Sequence, residues 1–106
     1  MIIELLTAHF IADYPLQGDF LSKAKNHKTP ITGFPFQHAL LAHSAIHGGL
    51  VSIITGIWWL GLLELIIHGA TDYLKCDNKI SIHQDQLIHV LCKILWALIA
   101  LAAGGQ

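Results

Sequence analysis

Four long apolar stretches alternate with short polar ones along this chain, and the pattern predicts four helices. The first covers about residues 2–22. It is interrupted by Glu4, His9, Asp13, Pro15, Gln17 and Asp19, and Pro15 should kink it or break it. A polar loop follows, with Lys23, Lys25, Lys28, Pro30, Gly33 and Pro35. The second helix covers about 36–55, the third about 60–75 and the fourth about 83–102. Gly104 and Gly105 end the last one. The second and third stretches could be read as a single apolar run, but roughly forty residues cannot cross a bilayer once without a large overhang. A tight hairpin at Gly56–Gly61 divides them, and its paired Trp58 and Trp59 suit the headgroup level of a membrane. Lys75, Cys76, Asp77, Asn78 and Lys79 form the next polar turn. Each stretch comes near the ~20 residues needed to span a bilayer, the third being the shortest.

Composition strengthens the membrane reading. Apolar residues make up 54% of the chain and charged residues 12%, against about 25% charged in an average soluble domain. Mean hydropathy is +0.57. The expected fold is all-α, a four-helix transmembrane bundle forming one integral membrane domain over residues 1–106. Net charge is -1 and the isoelectric point about 6.7, so nothing here attracts nucleic acid. Lys23, Lys25 and Lys28 lie in the first loop and Lys75 and Lys79 flank the third, whereas the helix two–three hairpin carries no lysine. The positive-inside rule then places those loops in the cytoplasm and both termini outside, in a multi-pass protein of the inner membrane. The N-terminal stretch lacks a basic leader region and reads as a retained helix. Cys76 and Cys92 form no CxxC motif and read as free thiols.

Candidate chemistry lies inside the apolar stretches. Four pairs recur at i, i+4: His9/Asp13 in HFIAD, His43/His47 in HSAIH, His68/Asp72 in HGATD and Asp85/His89 in DQLIH. Residues four apart share one face of a helix. Counted from the cytoplasmic ends at 1.5 Å per residue, all eight lie within roughly 3–20 Å of that face. Convergence on one or two metal centres is therefore allowed. Any single pair could be a hydrogen-bonded packing feature, and Asp85 could simply cap the fourth helix. Four pairs at compatible depth favour the metal, because each unpaired intramembrane charge is expensive. Imidazole and carboxylate donors suit a divalent ion, zinc first, with iron or manganese as alternatives. Asp72 or Asp85 would act as general base or orient a ligand. Gln17, Lys75 and Gln86 are candidates for substrate contact or for supporting the ligands. Lys75, beside Asp72 at the rim, could attract a phosphate, although a snorkelling lysine is the simpler reading. Glu64 and Lys93, one turn from His68 and His89, should form an ion pair. His27, His38 and His83 read as solvated.

The segments HFIADYPLQ, ALLAHSAIH, LIIHGATDYLK and DQLIHVL, taken in order, resemble the small bacterial and phage membrane proteins of domain-of-unknown-function family 3307. The resemblance covers nearly the whole chain. It supports His9, Asp13, Gln17, His43, His47, His68, Asp72, Asp85, Gln86 and His89 as the motif set. More distantly the family resembles the membrane-bound metal-dependent hydrolase group, which implies a hydrolytic reaction class.

The reading that follows is a membrane metal-binding protein with a mono- or dinuclear His/Asp site in the cytoplasmic half. It would be a metal-dependent hydrolase acting on a lipid headgroup or a small phosphorylated molecule. A di-iron lipid oxidase or hydroxylase is an alternative. A membrane accessory protein with a structural metal is another. An ion transporter would need polar residues through both halves, and the outer half offers few. The bilayer is the expected partner, and a homodimer is compatible with so small a bundle.

Overall fold

The computed structural model describes residues 1–104. Gly105, half of the predicted terminal glycine pair, lies outside them. The described residues form five helices and no strand: α1 Ile2–Asp13, α2 Gly18–Ala24, α3 Phe36–Thr55, α4 Trp58–Cys76 and α5 Ile82–Ala102. The all-α expectation holds, and the boundaries of the second and fourth predicted helices are close. The first predicted helix is corrected. Pro15 has no N–H to donate, and the chain turns over residues 14–17 rather than continuing. Leu16 N–H reaches back to the Ile11 carbonyl, and α2 starts afresh at Gly18. With 12 residues, α1 is about 18 Å long, well short of a hydrocarbon core about 30 Å thick. Two helices, α3 and α5, are long and apolar enough to cross a membrane.

The α3–α4 hairpin is tighter than the sequence suggests. Gly56 adopts the left-handed conformation at φ 71° and its N–H caps the Ser52 carbonyl. Thr55 secures the corner: its hydroxyl donates to the Val51 carbonyl and accepts from Ile57 N–H. Helix α4 therefore begins at Trp58, and Trp58 to Gly61 belong to it rather than to a loop. Ser81 caps α5 through a reciprocal pair with Gln84. Capping is thus the work of Ser81, which leaves Asp85 free for the interior.

The closest helix pair is α3 with α4, while α1 packs against α3 and α5. Glycine makes the α3–α4 approach possible. A Cβ on Gly48 would sit 2.5 Å from the Gly61 carbonyl oxygen, and one on Gly61 would sit 2.5 Å from the Gly48 oxygen. Small residues that let two backbones touch are a common basis of helix packing in lipid. The two polar loops meet at one end. His27 Nε2 donates to Asp77 at 3.0 Å, Lys28 pairs with the same oxygen at 3.3 Å, and His27 stacks on Tyr73 at 4.2 Å. His27, read as solvated, is instead an inter-loop tie.

Burial is inverted relative to a water-soluble protein. Among the described residues ten apolar side chains are buried against thirteen polar or charged ones, while Ile53, Trp58, Leu98 and many other large apolar residues face outward. A small apolar core of Leu5, Val51, Leu60, Trp96, Ala97 and Ala100 fills one end of the bundle. The other end is polar.

Two outcomes follow. Gly48→Ala should cost about 1–3 kcal/mol, because backbone rather than a flexible side chain must move; thermal unfolding in detergent measures it, and an unchanged midpoint would contradict the contact. The His27 hydrogen bond, then Lys28, holds the Asp77 carboxyl below its ordinary value of 3.8. A depressed folded pKa gives stability that is present above the ordinary value and lost as pH falls through the folded one. Asp77→Asn should therefore flatten the acid limb of stability below about pH 4.

Candidate metal centre

Helical spacing brings the four predicted pairs into one buried cluster. His9 and Asp13 come from α1, His43 and His47 from α3, His68 and Asp72 from α4, Asp85 and His89 from α5. Seven of the eight are no more than 1% exposed; Asp13 is the exception, with its side chain 12% exposed.

The tightest convergence is on Asp13 Oδ1. The Nε2 atoms of His47, His43 and His68 lie 2.9, 3.3 and 4.0 Å from it. His68 Nε2 and His43 Nε2 are 3.2 Å apart. Four ligands around a zinc at 2.0–2.1 Å form a tetrahedron with edges of about 3.3–3.4 Å; the 3.3 and 3.2 Å separations lie near that edge, while His47 and His68 would each shift by roughly half an ångström relative to Asp13. Asp13, His43, His47 and His68 are close enough together to hold a metal ion.

A second group, Glu64, His68 and His89, adjoins the first and shares His68. Glu64 forms the expected ion pair: its Oε1 accepts from Lys93 Nζ at 2.6 Å and from Trp96 Nε1 at 2.9 Å. Glu64 Oε2 lies 3.2 Å from His68 Nδ1, yet neither atom has a hydrogen-bond partner, and neither has His89 Nδ1. Buried polar atoms normally have partners. Three such atoms fall on this ligand group, and five more lie on His9, Gln17, His27, His43 and Ser44, so the polar interior as a whole carries unused ligand and donor atoms. The His68 ring stacks on His47 at 3.6 Å and on His89 at 4.1 Å, so one imidazole links the two groups.

The remaining predicted residues surround this centre. His9 Nε2 lies 3.1 Å from Gln86 Oε1 and 3.3 Å from Asp13 Oδ2. Gln86 Nε2 donates to both Asp13 and Asp85 at 3.2 Å, so it braces carboxylates on two helices. Gln17 donates to the Asp13 carbonyl at 3.0 Å, where α1 ends. Asp85 is 3.2 Å from His89 Nε2. Asp72 is 3.6 Å from His43 Nε2 and paired with Lys25 at 2.6 Å and Lys75 at 3.1 Å. Asp72 and Asp85 thus lie beside the four-atom group, each facing a lysine, rather than within it.

Lys25 is the residue that sequence reasoning missed. It counts there as a loop charge, whereas it is 3% exposed and contacts Asp72, 47 positions away. No local pattern announces such a pairing. Glu64 was legible as an ion-pair partner but not as a ligand-type residue. His38 and His83 stay exposed, and Cys76 and Cys92 are free thiols.

The sequence model of a family described as "Protein of unknown function (DUF3307)" matches residues 1–104. The chain belongs to that family. No curated protein and no solved structure matches it.

Removing Lys93 alone strands Glu64 at 1% exposure. Lys93→Met should destabilise the bundle by about 3 kcal/mol, and adding Glu64→Gln should restore much of the loss. A double-mutant cycle on thermal unfolding decides it; additive losses would mean the pair is not coupled.

Proposed function

We propose that this protein is a membrane-embedded metal-dependent hydrolase whose site lies in the cytoplasmic half of the bundle. The observation carrying the proposal is the convergence of Asp13 Oδ1 with three histidine Nε2 atoms in a buried cluster. Membrane embedding is supported by the inverted burial and by two helices of spanning length. The lysines of the first and third polar segments gather at one end, which the positive-inside rule assigns to the cytoplasm.

A divalent ion held by three residues of this group, zinc first by donor type, would leave a position for water or a substrate oxygen and would supply Lewis acidity there. The chain's own residues do the rest. Glu64, anchored by Lys93 and Trp96, stands behind His68 with Oε2 3.2 Å from Nδ1, and a small rotation would complete the hydrogen bond that carboxylates behind metal-binding histidines commonly make. Gln86 keeps Asp13 and His9 in register. Asp72, paired with Lys25 and Lys75 and close to His43, orients that ring, and Asp85, beside His89, accepts the proton of the attacking water. The water oxygen forms the new bond as the ester bond of a lipid headgroup or small phosphorylated substrate breaks, and that carboxyl group passes the proton to the leaving alcohol.

The test is elemental analysis of protein purified in mild detergent, beside a His43→Ala/His68→Ala variant. Near-stoichiometric zinc, lost in the folded variant, is expected. Iron with a visible absorption band and oxygen consumption would instead make this an oxidase. Folded wild-type protein that neither copurifies with nor binds any divalent ion would end the metalloenzyme reading.

A further inference from the structure

The candidate metal centre has an opening, and two lysines stand on its wall. Where Pro15 stops α1, the chain leaves a concavity of about 180 Å³ that reaches Asp13, the one partly exposed member of the predicted ligand set. Lys25, Lys75, Gln17, Ser22 and Gln86 line it with Asp13. A second hollow on the α1–α2 bend shares Asp13, Gln17 and Ser22, so the approach is continuous with the surface.

Two features make this more than a rim of surface charge. Lys25 is 3% exposed, too buried to be a snorkelling lysine. Of its three N–H donors, the hydrogen bond to Asp72 uses one. Lys75 spans Asp72 and Asp85 at 3.1 and 3.8 Å and remains 26% exposed toward the opening.

We infer that Lys25 and Lys75 form an oxyanion-binding pair that receives a phosphate group at the α1–α2 opening, beside Asp13. The inference deepens the hydrolase reading by naming the group recognised, and it depends on the metal only for the size of the effect. Lipid phosphate and free phosphate share the chemistry.

The experiment is equilibrium dialysis of detergent-purified protein against radiolabelled inorganic phosphate. It is run metal-free and with added zinc, on wild type, Lys75→Gln, Lys75→Arg and Lys25→Gln. Saturable binding is expected, weakened at least about tenfold in Lys75→Gln, with Lys75→Arg close to wild type. Lys75 is the primary position because its partial exposure lets a neutral residue be tolerated; Lys25→Gln counts only if its unfolding midpoint is retained. A parallel arm measures retention of phosphatidic acid against phosphatidylcholine from mixed micelles. Preferential retention lost in Lys75→Gln assigns the site to a lipid headgroup, and phosphate binding without it assigns the site to a soluble ligand. Equal phosphate affinity in wild type and folded Lys75→Gln would overturn the inference, as would no binding in wild type under either condition. Zinc content is measured on the same samples. Loss of the metal reading with lysine-dependent phosphate binding intact would leave this inference standing, and full zinc with no phosphate binding would remove it alone.

Discussion

Asp13 is the point on which the polar interior closes. One of its oxygens faces imidazoles of α3, and the other faces His9 of its own helix and Gln86 of α5. A single carboxylate thus ties α1 to two helices that pack against it. A short helix of 12 residues has little apolar surface with which to hold its place. Its attachment depends on these polar contacts together with Leu5 in the apolar core. A carboxylate facing three imidazole nitrogens from two other helices is an arrangement that a cation would stabilise. The same contacts that position α1 therefore assemble the candidate site.

The bundle separates its two tasks along its length. Near the α3–α4 hairpin, Leu5, Val51, Leu60, Trp96 and Ala100 supply ordinary packing. Toward the other end, histidines, carboxylates and lysines replace it. Trp96 and Lys93 mark the boundary, since both reach Glu64 from α5. Trp96 places its ring in the apolar half while its N–H serves the polar half, which suits an amphipathic side chain. The α3–α4 glycine contact lies on the same two helices that carry His43, His47 and His68. Close backbone approach there allows rings from facing helices to stack at 3.6 Å.

Much of this was legible in the sequence because a helix imposes a period. Residues at i and i+4 share a face, so four pairs in four apolar stretches announce a common interior before any coordinates exist. The Glu64–Lys93 pair followed from the same reasoning, each residue lying one turn from a paired histidine. What periodicity does not carry is contact from outside the regular elements. Lys25 is the C-cap of a short helix, and nothing in its neighbourhood fixes its distance to Asp72. His27 reaches Asp77 across 50 positions for the same reason. Pro15 signalled an interruption, but whether the helix bends or ends depends on the backbone bonds available afterwards. Here Leu16 and Gly18 find carbonyls behind them, and the chain turns.

That turn explains why a break should sit beside the site at all. Irregular backbone is costly inside a bilayer unless it lines a polar cavity or is covered by protein. In the membrane reading proposed above, Tyr14 and Gln17 meet the first condition: they line the concavity that reaches Asp13, and Gln17 donates to the Asp13 carbonyl where the helical ladder runs out. A continuous first helix would have carried its side chains past this position. It would also have left Asp13 beneath a further turn of helix. Ending α1 at Asp13 instead leaves that carboxylate slightly exposed and lets α2 bring Lys25 back over Asp72. One proline thus accounts for a short helix, an opening and a buried lysine that the apolar pattern alone would not have placed together.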